Sequence, residues 1–156
     1  MFLAPTAEQL EIQDQAGRFL QAQLTRERRL AWDALPAGYD DTFWQAVAGL
    51  GWFGYGLPEN VGGQGTSLLD VGLLLEACGR YVAPFGVFTA VCGGLALHAL
   101  GSAAQRKQWL PAVARGERQI ALAVNESAAS LNPAAFTTIL KRRGKSLQLD
   151  GRKEYV

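Results

Sequence analysis

The stretch GWFGYGLPENVGGQG, residues 51–65, is a glycine-dense connection between two helix-forming regions. Its glycines have the spacing neither of the dinucleotide-binding fingerprint nor of a phosphate-binding loop with its lysine. Pro58 and the flanking glycines favour backbone angles that other residues resist. The stretch therefore predicts a turn that positions the next helix and binds no ligand of its own.

Two helices are predicted before this connection. Thr6 and Gln9 form a capping box, and apolar residues follow at helical spacing, so the first helix should begin at Thr6. The second should begin near Asp40 or Asp41 and end at Gly51, because glycine is common just after a helix.

Three more helices are predicted after it. The third is apolar on both faces, which is typical of a helix buried within a bundle, and the fourth covers roughly 89–100. Trp32, Trp44, Trp52 and Trp109 are expected to be packing residues. The residues that should cap, distort or end these helices are Thr66 or Ser67, Ser102 with Gln105, Pro111 and Gly116.

Beyond Gly116 the pattern changes to short strands. The candidates are 120–124, 136–140, 147–149 and 152–156, with turns at 143–144 and 150–151, the second a strong hairpin signal. The basic residues of the first hairpin tip, expected to be solvated, are Lys141, Arg142, Arg143 and Lys145. The fold class is therefore mainly α: a bundle of about five helices over 1–118, followed by the first strands of a β-domain over 119–156.

Composition excludes several classes of function. The 156 residues carry a net charge of +1, which gives no reason to expect nucleic acid or an anionic membrane as a partner. The N-terminus has no leader pattern, and no apolar stretch is long enough to span a bilayer, so we expect a soluble cytoplasmic protein. Cys78 and Cys92 are expected to be small buried thiols, and His98 a satisfied, half-buried imidazole. No residues have the spacing of a metal site or a histidine-based triad.

Four ordered strings carry a family resemblance. They are GLPENVGGQG at 56–65, LEACGR at 75–80, the segment 101–117 with its WLP step and ARGE exit, and LDGRKEYV at 149–156. In this order and spacing the chain resembles the N-terminal portion of an acyl-CoA dehydrogenase. The resemblance covers nearly the whole chain.

The resemblance implies a helical N-terminal domain, a central β-domain and a C-terminal helical bundle, assembled as a homo- or hetero-oligomer. It also implies FAD as cofactor and an acyl-CoA substrate, which loses its α-proton to a carboxylate while the β-hydride passes to the flavin. The carboxylate base of the family lies beyond this chain, so no residue here is assigned as catalytic. The helices at 68–80 and 89–100 would border the acyl-chain cavity.

The flavin-contacting motif of the family, Thr-Glu-Pro-x-Ala-Gly-Ser-Asp, is altered at 125–132, which reads NESAASLN. Asn125 replaces a threonine, but its amide can still donate and accept hydrogen bonds. Leu131 replaces a serine and has no polar group. The neighbouring Ser130 could take over the serine's contacts after a one-residue shift. The residues that the resemblance places at the flavin are Val124, Asn125, Glu126, Ser130, Tyr155 and Val156.

Three functions remain open from the sequence. The first is the N-terminal part of an FAD-dependent acyl-CoA dehydrogenase, inactive until joined to the C-terminal portion or a partner subunit. The second is a non-catalytic or split subunit with a degenerate flavin loop that pairs with a catalytic homologue. The third stays within the scaffold, which flavin monooxygenases and acyl-CoA oxidases share. Because the last predicted strand is unfinished at Val156, we expect a fragment or one half of a split enzyme.

Overall fold

The structure is a computed structural model that describes residues 4–126 and 132–154. The chain divides into two compact units, Met1–Ile120 and Ala121–Val156. The first unit is helical, and the described part of the second contains one two-stranded antiparallel sheet. The mainly α fold class is confirmed.

The described part of the first unit contains six α-helices. They are α1 (Ala7–Gln23), α2 (Arg26–Trp32), α3 (Asp41–Gly49), α4 (Leu68–Arg80), α5 (Phe85–Leu100) and α6 (Ala103–Ala114). The sequence did not predict α2, whose seven residues RERRLAW are too polar to show an apolar stripe. It is nevertheless anchored by the buried Trp32.

Most helix ends lie where the sequence predicts them. Complete capping boxes begin three helices, α1 at Thr6, α4 at Ser67 and α6 at Ser102. Gly51 and Gly116 follow helices with φ near +70°, a conformation that glycine adopts without strain. Two details differ. α5 begins at Phe85, four residues before the predicted start, and α6 continues through Pro111 to Ala114.

An aromatic cluster forms the centre of the first unit. The rings of Trp44 and Phe53 stack with centroids 4.2 Å apart, and Trp44 Nε1 donates a buried 2.8 Å hydrogen bond to the Gly116 carbonyl. Trp32 and Trp52 are also buried, as predicted for packing residues, but Trp109 is 43% exposed. The core thus joins α3 to the end of α6.

The glycine-dense connection folds back on itself through two short 3-10 turns, Trp52–Gly54 and Glu59–Val61. The Gly65 N–H donates to the Leu57 carbonyl at 2.9 Å, and a Cβ at Gly63 would lie 2.1 Å from that same oxygen. The Gly56 N–H donates to the Thr66 hydroxyl at 2.8 Å, next to the cap of α4. The connection therefore positions α4, as the sequence indicated.

In the second unit, β1 (Ile139–Arg143) pairs with β2 (Ser146–Asp150), so that Ile139 lies opposite Asp150. Gly144 has a φ of +62°, which fits a type II′ two-residue turn. Every residue of both strands is exposed, including the basic residues at the tip.

Two strand predictions were wrong within the described residues. Neither 120–124 nor 152–154 is a strand, and no strand follows the Asp150–Gly151 step there. Apolar character indicates burial, but a strand also requires a neighbour on a hydrogen-bonded ladder, and the described residues supply none.

Candidate cofactor site

The segment 124–126 lies outside the helices and strands and is tied to 153–154. The Val124 carbonyl accepts a hydrogen bond from Lys153 Nζ at 3.1 Å, and the Asn125 carbonyl accepts one from the Glu154 N–H at 2.9 Å. Val124 is exposed, Asn125 is half-buried and Glu126 is only 7% exposed. The carbonyl groups of Val124 and Asn125 are therefore held by Lys153 and Glu154.

The Glu126 carboxylate is surrounded by donors. Its Oε2 accepts the N–H and the hydroxyl of Thr137, both at 2.6 Å. Its Oε1 accepts the Thr138 N–H at 3.0 Å and the Thr138 hydroxyl at 2.5 Å, together with Lys153 Nζ at 2.9 Å. Five donors exceed the roughly four lone-pair sites of a carboxylate, so no capacity is left for a further ligand.

These partners hold the carboxylate in its charged form. The hydrogen bonds from Thr137 and Thr138, followed by the ammonium group of Lys153, lower the pKa of Glu126 well below its usual range. Lys153 in turn lies over the Phe136 ring, 4.2 Å from the centroid. Glu126 is thus held as an anion by its own chain.

The other polar groups of the segment have no partner among the described residues. Within 4–126 and 132–154, neither the Asn125 side-chain amide nor the backbone N–H groups of Asn125 and Glu126 have a hydrogen-bond partner. Two N–H donors beside a carboxamide fit the edge of a flavin pyrimidine, which alternates carbonyl and N–H groups. Flavin binding by Val124, Asn125 and Glu126 stays a prediction. The Glu126 side chain itself is already hydrogen-bonded within its own chain.

The remaining predicted flavin residues, Ser130, Tyr155 and Val156, lie outside the described residues, as does Leu131.

A second feature is a set of exposed apolar side chains on α5 and at the start of α4. The α5 face, defined by Phe85, Phe88 and Cys92 at helical spacing, includes two stacked rings with centroids 5.2 Å apart. Phe85 and Phe88 are 69% and 41% exposed, and Leu68 and Leu69 at the start of α4 are 73% and 58% exposed. The prediction that α4 is buried on both faces was therefore wrong at its first turn.

The side chains of His98 and the two cysteines are not part of the candidate cofactor site at 124–126. Burial raises the pKa of Cys78 to about 12, and it also raises the pKa of the half-buried Cys92, so both thiols are held neutral. His98 is half-buried as predicted, but its Nδ1 is buried without a partner in the described structure. The expectation of a satisfied imidazole was therefore wrong. Within that same part of the chain, no group of three His, Cys, Asp or Glu residues could hold a metal ion.

Sequence reasoning missed the partners of Glu126. Thr137, Thr138 and Lys153 are 11, 12 and 27 residues away, and only the folding of the second unit brings them together. The one available signal was the adjacent Thr-Thr pair beside an apolar run. From the sequence alone, two adjacent hydroxyl groups do not show which acceptor they will bind.

Comparison with known proteins assigns the chain to one family. The family model described as "Acyl-CoA dehydrogenase, N-terminal domain" matches residues 6–117. The acyl-CoA dehydrogenase FadE12 of Mycobacterium tuberculosis is 31% identical over 116 residues, which cover 72% of this chain and 30% of that protein. FadE28 of the same organism is 33% identical over 141 residues, covering 89% of this chain and 36% of that protein.

The fold agrees with solved structures. A variant of the "Tcur3481-Tcur3483 steroid ACAD" superposes with a TM-score of 0.84 at 32% identity, covering 94% of this chain and 40% of that one. The chain thus spans between about 30% and 40% of the length of these relatives. No helix in the described ranges is long and apolar enough to cross a membrane.

Proposed function

The chain belongs to the acyl-CoA dehydrogenase family, and we propose that it is the N-terminal part of an FAD-dependent enzyme that oxidises an acyl-CoA thioester to the α,β-enoyl-CoA. In this assignment 1–118 is the N-terminal helical domain and 119–156 begins the central β-domain. The observation that carries the proposal is the family match over 6–117, continued at 124–126 by a segment with open hydrogen-bonding groups.

The role of this chain at the flavin is to bind and orient. FAD, when bound, supplies the hydride acceptor of the reaction. The N–H groups of Asn125 and Glu126 and the Asn125 carboxamide would hold the pyrimidine edge, with Val124, Ser130, Tyr155 and Val156 completing the contacts. No residue here acts as the catalytic base, because the family places that carboxylate in its C-terminal bundle.

The exposed apolar side chains of α4 and α5 give the chain a second role. We assign the α5 face and the start of α4 to the wall of the acyl-chain cavity, since Phe85, Phe88 and Leu69 expose apolar side chains that a thioester chain could cover. Apart from His98 and the Cys92 thiol, whose pKa burial raises, α5 carries no ionisable side chain, so such a wall would exclude water from the reacting carbons. The free cysteines agree with a cytoplasmic location.

A second candidate function is a non-catalytic or split subunit that pairs with a catalytic homologue. The replacement of threonine by Asn125 and of serine by Leu131 favours it. The two-protein name of the structural relative, Tcur3481-Tcur3483, is consistent with assembly from different chains. Exposed apolar patches of this kind commonly lie at subunit contacts.

The test is to purify the native polypeptide in its own assembly and to measure flavin per chain and flavin reduction by a panel of acyl-CoA thioesters. Bound flavin that these thioesters reduce supports the dehydrogenase. A flavin-free chain that copurifies with a flavin-bearing homologue supports the second function. Absence of both flavin and such a partner contradicts the two proposals together.

A matched pair of variants localises the flavin to this chain. Asn125→Thr retains a hydrogen-bonding side chain and should leave flavin affinity within a few fold of the wild type. Asn125→Leu removes the carboxamide at similar size and should weaken flavin binding by about fivefold, since one hydrogen bond contributes roughly 1 kcal/mol. Equal affinities of both variants would show that the Asn125 carboxamide does not contact the flavin.

A further inference from the structure

Four side chains of the second unit form a hydrogen-bonded cluster around one buried carboxylate. Glu126, Thr137, Thr138 and Lys153, here called the carboxylate clamp, join a single buried carboxylate to five donors. The side chains of Glu126 and Lys153 are 8% and 22% exposed. The strands β1 and β2 are wholly exposed, so Glu126 in the clamp is the one buried residue among the unit's described residues.

The clamp fixes a carbonyl as well as a carboxylate. Lys153 Nζ lies 2.9 Å from Glu126 Oε1 and 3.1 Å from the Val124 carbonyl oxygen, so one ammonium group binds both ends of the segment 124–126. In a planar trans peptide the N–H points away from the carbonyl. Because the carbonyl of Val124 is held by Lys153, the N–H of Asn125 is directed to the other side.

The same argument applies one residue later. The Asn125 carbonyl is held by the Glu154 N–H at 2.9 Å, which directs the Glu126 N–H away from 153–154. Neither N–H has an acceptor in the described part of the chain. An ammonium group on a peptide carbonyl also polarises that peptide, which strengthens its N–H as a donor.

We propose that Lys153 and Glu126, together with Thr137 and Thr138, are positioning residues that hold the N–H groups of Asn125 and Glu126 toward the flavin and that polarise the Asn125 N–H. This inference rests on the proposed function. In this inference the backbone of 124–126 contacts the flavin. Glu126 and Lys153 do not contact it and act by orienting that backbone. It also explains how Asn125 can replace a threonine, since a backbone N–H does not depend on the side chain.

The experiment compares Lys153→Met, Glu126→Gln and the double variant with the wild type in the native assembly, using FAD as the titrant. Each single variant should weaken FAD binding by about tenfold or more, the size seen when outer partners that orient a binding group are removed. The double variant should be about as weak as either single one, because both act through one cluster. Lys153→Arg should recover part of the affinity.

The midpoint potential of the bound flavin separates positioning from simple stabilisation. A polarised N–H stabilises the electron-rich reduced flavin, so Lys153→Met should lower the potential. Lys145→Met, which removes a lysine from the exposed hairpin turn of the same unit, is the matched control and should change neither affinity nor potential. If Glu126→Gln does not fold, Thr137→Val and Thr138→Val each remove one hydroxyl donor and serve in its place.

The outcomes are distinct. Wild-type protein without flavin would overturn the proposed function and this inference with it. Flavin in the wild type, with affinity and potential unchanged in Lys153→Met and in Glu126→Gln, would overturn the inference alone. A loss of affinity in step with a loss of folding stability, at unchanged potential, would also overturn it, since the clamp would then only stabilise the unit.

Discussion

Val82 is a β-branched residue with a φ of +52°, a region that such residues rarely occupy. It follows α4, and the Ala83 N–H closes the turn by donating to the Cys78 carbonyl at 2.8 Å. Arg29 holds the turn from outside, since its guanidinium donates to the carbonyls of Tyr81 and Val82. The strain at Val82 is therefore maintained by its surroundings.

Replacing Val82 by glycine should stabilise the protein by about 1 kcal/mol. A strained φ costs about 1–3 kcal/mol, which glycine would relieve. Part of this gain is offset because glycine loses more conformational entropy on folding. Little packing is lost, since Val82 is 69% exposed. Urea unfolding followed by tryptophan fluorescence measures the change. Val82→Ala, which keeps a Cβ at the same φ, should gain less. A Val82→Gly protein less stable than the wild type would contradict the argument.

Asp40 is the most strongly anchored carboxylate of the helical unit's described residues. It caps α3 and accepts hydrogen bonds from Thr42, Trp32 and Arg28. Hydrogen bonds lower the pKa of Asp40 well below its usual range. The largest contribution comes from the Thr42 hydroxyl, and smaller ones come from Trp32, the Phe43 N–H and Arg28. Asp40 therefore contributes stability above the unfolded-state pKa of about 4, and this contribution is lost as pH falls below it.

The free energy of unfolding should accordingly fall between about pH 5 and pH 2, and Asp40→Asn should flatten that dependence. Asparagine caps helices about as well as aspartate, so the variant removes the charge and keeps the cap. Thr42→Val should move the loss of stability to higher pH by removing the largest cause of the lowered pKa. Urea unfolding at a series of pH values measures both, and an unchanged slope in Asp40→Asn would refute the assignment.

At the scale of elements, glycines in two helices have opposite roles. A Cβ at Gly93 in α5 would lie 2.9 Å from Ile120 Cγ2 and 3.1 Å from the Ile120 carbonyl oxygen. Backbone cannot move aside as a side-chain tip can, so Gly93 permits a close approach of α5 to Ile120. At Gly72 in α4, a Cβ would meet nothing within 4 Å.

Alanine at these two positions should change stability in opposite directions. Gly72→Ala should stabilise by roughly 0.5–1 kcal/mol through helix propensity alone. Gly93→Ala gains the same propensity but should lose about 1–3 kcal/mol to overpacking, for a net destabilisation. Thermal unfolding of the pair provides the comparison, and stabilisation by Gly93→Ala would show that the contact with Ile120 relaxes.

At the scale of the whole molecule, burial is concentrated in one unit. Every buried apolar side chain of the described residues lies between Ala16 and Ala114, whereas Glu126 is the buried residue of the second unit. A two-stranded hairpin with both faces exposed is marginal by itself. The helical unit therefore has a core of its own, and the described part of the second unit has none.

Residues 1–120 produced alone should keep α-helical circular dichroism and a cooperative unfolding transition. All four tryptophans lie in this range, so their fluorescence reports the transition directly. Residues 121–156 produced alone should show no cooperative transition, because the described part of this range has no buried apolar core. An unfolded 1–120 segment would show that the proposed boundary near 118–120 does not separate independently folding parts.

The sequence by itself determined what depends on neighbours along the chain. Capping boxes at Thr6, Ser67 and Ser102 and glycines at Gly51 and Gly116 involve groups within a few residues of each other, so local patterns specify them. The ordered strings from 56 to 156 were sufficient to recognise the family. The helix α2 and the early start of α5 were missed because neither shows an amphipathic stripe.

The tertiary structure alone decided what depends on partners far apart. Lys153 and Glu126 are 27 residues apart and meet only when the second unit folds, so no spacing rule indicates that the carboxylate is occupied. The unpaired Nδ1 of His98, the exposure of Trp109 and the absence of a ladder at 120–124 are likewise properties of three-dimensional neighbours. Residue type states what a group can bind, and packing selects the partner that it does bind.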